Sequence, residues 1–204
     1  MRDEFTSAIR SNQAAFGVDL SDEAIERLGN YFELVQQHNP LLHLVAPCSP
    51  GEFATRHILE SLTLLEFLPL DARFADVGSG AGMPSIPCLI ARQDLHAVLI
   101  ESKEKKTKFL EQSVHKLGVS EQARVVNRQF EEIEPTGFDY VTCRALDKFT
   151  EKLPRLITWA RGKQLLLFGG NAILDALNKQ KIPFDQKLMP LSRQRFVIVT
   201  RNPV

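Results

Sequence analysis

Two acidic residues and three glycines are the part of this sequence in which residue type and spacing could do chemistry. Asp76 directly precedes the run Gly78, Gly80 and Gly82, and Glu101 follows about 20 residues later. Glycines in such a turn accept unusual dihedral angles and leave room for an adenosine-sized ligand. A carboxylate at Glu101 can accept hydrogen bonds from both hydroxyl groups of a ribose, and Asp76 can bind an ammonium group, directly or through water, or cap the turn.

The spacing of the glycines separates two classes of nucleotide-binding protein. A dinucleotide-binding fingerprint starting at Gly78 requires a small residue at Met83, and a P-loop requires Lys-Ser or Lys-Thr after the glycines; neither is present. Enzymes that use NAD and enzymes that use S-adenosylmethionine both place an acidic residue where Glu101 stands. The pattern acidic-x-Gly-x-Gly-x-Gly, with no recognisable hydride-transfer site downstream, favours S-adenosylmethionine.

The elements that must position these residues alternate between strands and helices. Short apolar runs predict strands at 73–77, 96–101, 123–127, 138–143, 164–168 and 195–201, with amphipathic helices between most of them. This alternation indicates a doubly wound, Rossmann-like α/β sheet of parallel strands with helices on both faces. About 25 residues separate the last two predicted strands, which leaves room for one antiparallel strand.

The first third of the chain has a different pattern. Apolar positions at helical spacing predict two or three helices before residue 46, a loop containing Pro40, Pro47 and Pro50, and a further amphipathic helix over 53–68. We therefore expect an N-terminal helical cap over residues 1–72, followed by one compact domain over residues 73–204.

Composition limits the environment and the partners of the protein. The net charge is zero, yet residues 144–204 carry 12 Lys and Arg against 4 Asp and Glu, so one face can be basic. No apolar run approaches the roughly 20 residues of a membrane span, and the N-terminus does not resemble a secretory signal. Three widely spaced cysteines indicate neither a disulfide framework nor a zinc site. We expect a cytoplasmic monomer without a metal.

Several segments together resemble one known family. DVGSGAGMPSIP at 76–87, RHILESL upstream, the acidic strand end followed by SKEKKTKFLEQSVHKLG, and FDYVTCRAL downstream resemble the glucose-inhibited division protein B family. HNPLLHLVA near the start and RQRFVIVTR near the end extend the resemblance over nearly the whole chain. The chain departs from the family where Ser85 replaces a common glycine and Glu101 a common aspartate.

The resemblance implies a function and a set of cofactor contacts. Members of this family transfer a methyl group from S-adenosylmethionine to N7 of a guanine in 16S ribosomal RNA. The matching motifs imply cofactor contacts at Gly78, Met83, Phe130, Glu131 and Arg144. They add to Asp76, Gly80 and Glu101, which the residues themselves indicate. The small ribosomal subunit or its RNA is the implied partner.

The RNA is expected to meet the basic residues near this site. The candidates are Arg56, His57, Lys103, Lys105, Lys106 and Arg144, because phosphate contact needs only positive charge within reach. Arg144 could hold a phosphate or orient the target base. A solvated helix start remains the alternative for the lysines, and core packing remains the alternative for Phe130.

The expected chemistry requires no catalytic acid or base. Guanine N7 has a lone pair and no proton to remove, so we assign no catalytic residue. The segment TCRAL lacks the tetrapeptide typical of exocyclic amine methylation, and Cys88 after Pro87 is expected to be a packing cysteine rather than a nucleophile for cytosine C5. Two other functions stay open: a methyltransferase of the same fold acting on another RNA, a protein or a small molecule, and a non-catalytic RNA module that binds the cofactor.

Overall fold

The computed structural model describes residues 1–144, 146–201 and 203–204. Its strands are β1 (Arg73–Val77), β2 (His96–Ile100), β3 (Ala123–Val126), β4 (Tyr140–Arg144), β5 (Gln164–Gly169), β6 (Phe184–Leu188) and β7 (Phe196–Thr200). They form one sheet in the order β3-β2-β1-β4-β5-β7-β6, in which β7 pairs antiparallel with both β5 and β6. The predicted α/β sheet is confirmed, and the strand that runs antiparallel is β7. The sequence analysis did not predict β6, which lies in the gap before β7.

The order of the strands reverses between β1 and β4. The chain runs outward from β1 through β2 to β3, then returns to β4 on the other side of β1. Open α/β sheets bind ligands outside the carboxyl ends of their strands at such a point. The glycine turn after β1 and the end of β2 both lie at this edge, so the topology brings together the residues that the sequence selected.

Alternating side chains of the central strands face two separate hydrophobic clusters. Phe74 of β1 packs with the helices Arg2–Asn12, Asp22–Leu42, Ser85–Ala91 and Glu104–Lys116. Ala75 and Val77 face the other side, with the helices Phe149–Trp159 and Asn171–Lys179. Because side chains alternate along a strand, Asp76 faces the same side as Phe74 and lies under the N-terminal helices.

The segment 50–67 differs from the regular helix that the sequence predicted. It contains an α-helical turn at Pro50–Glu52, a π-helix at Phe53–Leu59, a second α-helical turn at Glu60–Leu62 and a 3₁₀-helix at Thr63–Phe67. We call residues 50–67 the bulged helix. A π-helical stretch widens the backbone spiral and is frequent at functional sites.

Two boundaries in the N-terminal region also need comment. Pro40 lies inside the last turn of the helix Asp22–Leu42, so the predicted loop begins later than expected. The division of the chain at residue 72 stays a prediction, since one hydrophobic cluster includes both Phe5 and Val197. Within the described residues, no helix combines the length and the apolar character that crossing a bilayer requires.

Candidate functional site

The glycine turn is tied to the end of the neighbouring strand. The backbone N–H groups of Gly78 and Ser79 both donate to the carbonyl of Ile100, at 2.9 and 3.1 Å. Gly80 and Gly82 have φ angles of +55° and +93°, a region that side chains disfavour. At Gly82 a Cβ atom would lie 2.4 Å from Ile86 Cδ1, whereas at Gly80 it would meet only the carbonyl of Gly78 at 3.7 Å. Gly82 is therefore required by packing, while a side chain at Gly80 would make only an ordinary van der Waals contact.

This difference predicts opposite results for two alanine substitutions. Gly82→Ala should destabilise the protein by roughly 2 to 3 kcal/mol, because the new methyl group overlaps a buried side chain. Gly80→Ala should cost only about 1 kcal/mol, the cost of a left-handed residue, but should weaken nucleoside binding by placing a methyl group next to Glu101, where the ligand would approach the turn. Denaturant unfolding and calorimetric titration of each variant measure the two effects, and equal losses of stability would contradict the assignment.

Glu101 lies directly after β2 with its carboxylate against the turn. Its Oε2 atom accepts a hydrogen bond from the Gly80 N–H at 3.0 Å, and its Oε1 atom accepts one from the Lys103 N–H at 2.8 Å. Each carboxylate oxygen has a second lone pair. The two amides therefore fix the side chain against the glycine turn and leave acceptor capacity for two hydroxyl groups.

Asp76 is the second acidic group of the site and is completely buried. Its Oδ2 atom accepts a hydrogen bond from the Ser85 hydroxyl at 2.7 Å, whereas Oδ1 has no partner among the described residues. Burial raises the pKa of Asp76 to about 7, against the opposing effect of the Ser85 hydrogen bond. A buried carboxyl oxygen without a partner is costly, and a ligand cation would satisfy it.

Tyr31 supports the turn from the N-terminal helices, and sequence reasoning missed this role. Its hydroxyl donates to the carbonyl of Ala81 at 2.7 Å, and the side chain is fully buried. Tyr31 is one of the apolar positions at helical spacing in the first third of the chain, and that spacing predicts only burial. Nothing local in the sequence pairs it with a residue 50 positions away.

Three further predicted cofactor contacts, Met83, Phe130 and Glu131, differ in how deeply they are buried. The Phe130 ring is buried and packs edge-on against Trp159, with ring centroids 5.5 Å apart, as the core-packing alternative requires. Glu131 is exposed, and Met83 is buried in the core beside the turn. Contact between these residues and a cofactor stays a prediction, in which Phe130 contributes through its backbone.

Arg144 ends β4, and its guanidinium is used within the protein. It donates to the Ser61 hydroxyl at 2.8 Å and to the carbonyls of Arg56 and His57 in the bulged helix. The side chain also lies 3.5 Å from the buried carboxylate of Glu60. These contacts orient the bulged helix over the sheet edge, and the predicted contacts of Arg144 with cofactor and RNA stay predictions.

The two predicted RNA contacts on the bulged helix differ in charge. Arg56 is exposed and forms an ion pair with Glu52. Burial, followed by the charge of Arg144, lowers the pKa of His57 to about 3, and its ring packs against Phe53. At neutral pH His57 is uncharged, so any RNA contact would use a neutral imidazole rather than a cation.

The predicted lysine contacts border a groove next to the site. Lys103, Lys105 and Lys106 line a cavity of about 360 Å³ together with Leu41, Leu42, His43 and Glu104. Lys108 pairs with Glu104 at 2.6 Å. Lys103 lies two positions after Glu101, so the lysines begin at the same edge of the sheet as the glycine turn.

Cys88 is a packing residue, as the sequence analysis expected. Its thiol is fully buried and donates to the carbonyl of Ser61 at 3.4 Å. Burial raises the pKa of the thiol, which disfavours the reactive thiolate. A cysteine in these surroundings does not serve as a nucleophile.

Several known proteins are similar to this chain over most of its length. Residues 24–195 match the family model described as GidB, rRNA small subunit methyltransferase G. The ribosomal RNA small subunit methyltransferase G of Sorangium cellulosum is 37% identical over 164 residues, which cover 76% of this chain and 67% of that protein. The protein of the same name from Chromobacterium violaceum is 35% identical over 167 residues, covering 80% and 79%.

Solved structures resemble the chain in fold. The mitomycin 7-O-methyltransferase MmcR aligns with a TM-score of 0.60 at 15% identity, over 98% of this chain and 66% of that one. A Streptococcus agalactiae protein of the NADB-Rossmann superfamily aligns with a TM-score of 0.59 at 15% identity, over 71% and 68%. At this identity the likeness concerns the fold alone.

Proposed function

The chain belongs to the GidB family of small-subunit ribosomal RNA methyltransferases, and from this premise we propose that it methylates N7 of a guanine in 16S ribosomal RNA with S-adenosylmethionine as donor. One observation supports the donor above all others. Two buried acidic side chains flank the same glycine turn, and Asp76 has an oxygen without a partner.

This pair of acidic groups distinguishes between nucleoside ligands. A ribose diol, which Glu101 would bind, occurs in both NAD and S-adenosylmethionine. Only S-adenosylmethionine also carries an ammonium group, which Asp76 would neutralise. A dinucleotide would instead bring a pyrophosphate toward a buried carboxylate, an unfavourable pairing of like charges.

Within this proposal, each residue of the site has a limited task. When bound, S-adenosylmethionine supplies a methyl group on a sulfonium sulfur, which the guanine N7 lone pair can accept without loss of a proton. Glu101 and Asp76 would hold the two ends of the nucleoside, and Tyr31 would keep the turn in place. The contribution of the protein is orientation and exclusion of water, with no general base.

The RNA would reach the site across the basic edge of the sheet. We propose Lys103, Lys105 and Lys106 as phosphate contacts, because they line the groove beside Glu101. Arg56 would extend the same surface along the bulged helix. A steep loss of RNA affinity with added salt is the expected signature of such contacts.

Methyl transfer to ribosomal particles tests the proposal directly. Small subunits from cells that lack the protein should accept labelled methyl groups, and mass spectrometry of the digested 16S RNA should identify 7-methylguanosine. Glu101→Gln should lower the cofactor affinity about 10-fold, because the substitution removes one oxygen that accepts a hydrogen bond from a ribose hydroxyl group. Glu111→Gln, at an exposed position on the helix Glu104–Lys116, is the matched control.

Other outcomes of this experiment point to other functions. A methyl group on an exocyclic amine would disprove the N7 assignment. Labelled protein or small molecules in place of RNA would indicate a different substrate class. Intact cofactor binding without any transfer would indicate a non-catalytic RNA-binding module.

A further inference from the structure

We propose that Ser85 is a positioning residue for cofactor binding, whose hydroxyl holds one oxygen of Asp76 so that the other is presented to the ammonium group of the donor. This inference rests on the proposed function.

The geometry of the pair carries the inference. The Ser85 hydroxyl donates to Asp76 Oδ2 at 2.7 Å, and both residues are fully buried. Asp76 Oδ1 has no hydrogen-bond partner among the described residues. The hydroxyl therefore fixes the rotation of the carboxyl group, and Oδ1, without a partner in the described part of the chain, is the oxygen that can accept a hydrogen bond from a ligand.

The surroundings of Asp76 explain why one hydroxyl matters. Four titratable groups act on Asp76 or are affected by its charge: Tyr31, Cys88, Cys143 and Glu101. Burial raises the pKa of Tyr31, Cys88 and Cys143, so these three stay neutral at physiological pH. Two hydroxyl groups lower the pKa of Asp76 and so favour its charged form: that of Ser85, which has the larger effect, and that of Ser79.

Removal of the hydroxyl should change cofactor binding in a pH-dependent way. Without the hydrogen bond, the pKa of Asp76 rises further and a larger fraction of the carboxyl is protonated at neutral pH. A neutral carboxyl attracts an ammonium group weakly. Ser85→Ala should therefore weaken binding of S-adenosylhomocysteine, which retains the ammonium group, about 10-fold at pH 7, and the deficit should shrink as the pH approaches 9.

Calorimetric titration with S-adenosylhomocysteine between pH 6 and pH 9 tests this expectation. Ser85→Cys, which keeps a weaker donor of similar size, should fall between the unaltered protein and Ser85→Ala. Ser113→Ala is the matched control, because that buried hydroxyl donates at 2.8 Å to the carbonyl of Phe109, within its own helix. The titration of Asp76 in the cofactor-free protein, followed by carboxyl NMR, should move upward in Ser85→Ala.

The possible results separate this proposal from the function on which it rests. Equal affinities of Ser85→Ala and the unaltered protein across the pH range would overturn the role of Ser85 alone. A loss in Ser85→Ala that does not vary with pH, with Asp76 titrating unchanged, would also overturn it, because a general loss of packing predicts that result. Failure of the unaltered protein to bind S-adenosylhomocysteine would overturn the proposed function itself.

Discussion

Replacement of Glu60 with alanine is expected to destabilise the protein by about 2 to 4 kcal/mol. The Glu60 side chain is only 3% exposed and accepts a hydrogen bond from Arg195 Nε at 2.8 Å, with Arg144 Nη2 at 3.5 Å. Loss of the carboxylate leaves two partly buried arginines without their negative partner. Unfolding in denaturant at pH 7 measures the change in free energy.

Glu66 provides the matched control for this experiment. It lies on the same bulged helix and also pairs with a basic residue of the C-terminal region, Lys187, but its side chain is 52% exposed. Exposed ion pairs contribute about 0 to 1 kcal/mol. Glu66→Ala should therefore cost less than 1 kcal/mol, and equal costs at the two positions would show that burial of Glu60 does not set its contribution.

The two arginines also explain how the bulged helix is held over the site. Arg144 comes from the end of β4, and Arg195 comes from the residue before β7. Both meet Glu60, and Arg144 also binds backbone carbonyls in the π-helical stretch. A change at Glu60 should therefore affect the position of Arg56 and His57 as well as stability.

The parts of the site that sequence could predict are those encoded within a short stretch of chain. An apolar strand, a glycine turn and a following helix occur within residues 73–91, and the next strand ends at Glu101. Parallel strands bring their carboxyl ends to one edge, so the meeting of Glu101 with Gly80 follows from the local pattern and the fold class.

The remaining features depend on contacts between distant residues. Arg144 and Ser61 are 83 positions apart, and Tyr31 and Ala81 are 50 positions apart. The helical spacing of residues 53–68 is equally compatible with a regular helix. Arg144 donates hydrogen bonds to backbone carbonyls of the π-helical stretch. The periodicity of residues 53–68 contains no information about a contact with such a distant residue.

The buried carboxyl of Asp76 is proposed to bind the cofactor and is expected to lower stability when it is charged. Asp76→Asn should change both properties, and each can be measured on its own. The pKa of Asp76 is raised from 3.8 to about 7 in the folded protein. The stability associated with this carboxyl is therefore fully present below pH 4 and is lost as the pH rises through 7. Asparagine does not titrate. The free energy of unfolding of the variant, relative to that of the unaltered protein, should therefore increase by roughly 2 to 3 kcal/mol as the pH is raised from 5 to 8.

The same substitution should weaken binding of S-adenosylhomocysteine by about 10-fold or more at pH 8, since the ammonium group loses its charged partner. Asp185→Asn is the control for stability, because Asp185 is exposed on β6 and pairs with Arg201 at 2.9 Å. Denaturant unfolding of the cofactor-free proteins at several pH values measures the first effect, and calorimetry measures the second. A stability difference between Asp76→Asn and the unaltered protein that stays constant from pH 5 to pH 8 would mean that Asp76 ionises as easily inside the fold as in water. In that case burial would not disfavour the charged form of Asp76, and a bound cation would not be needed to stabilise it.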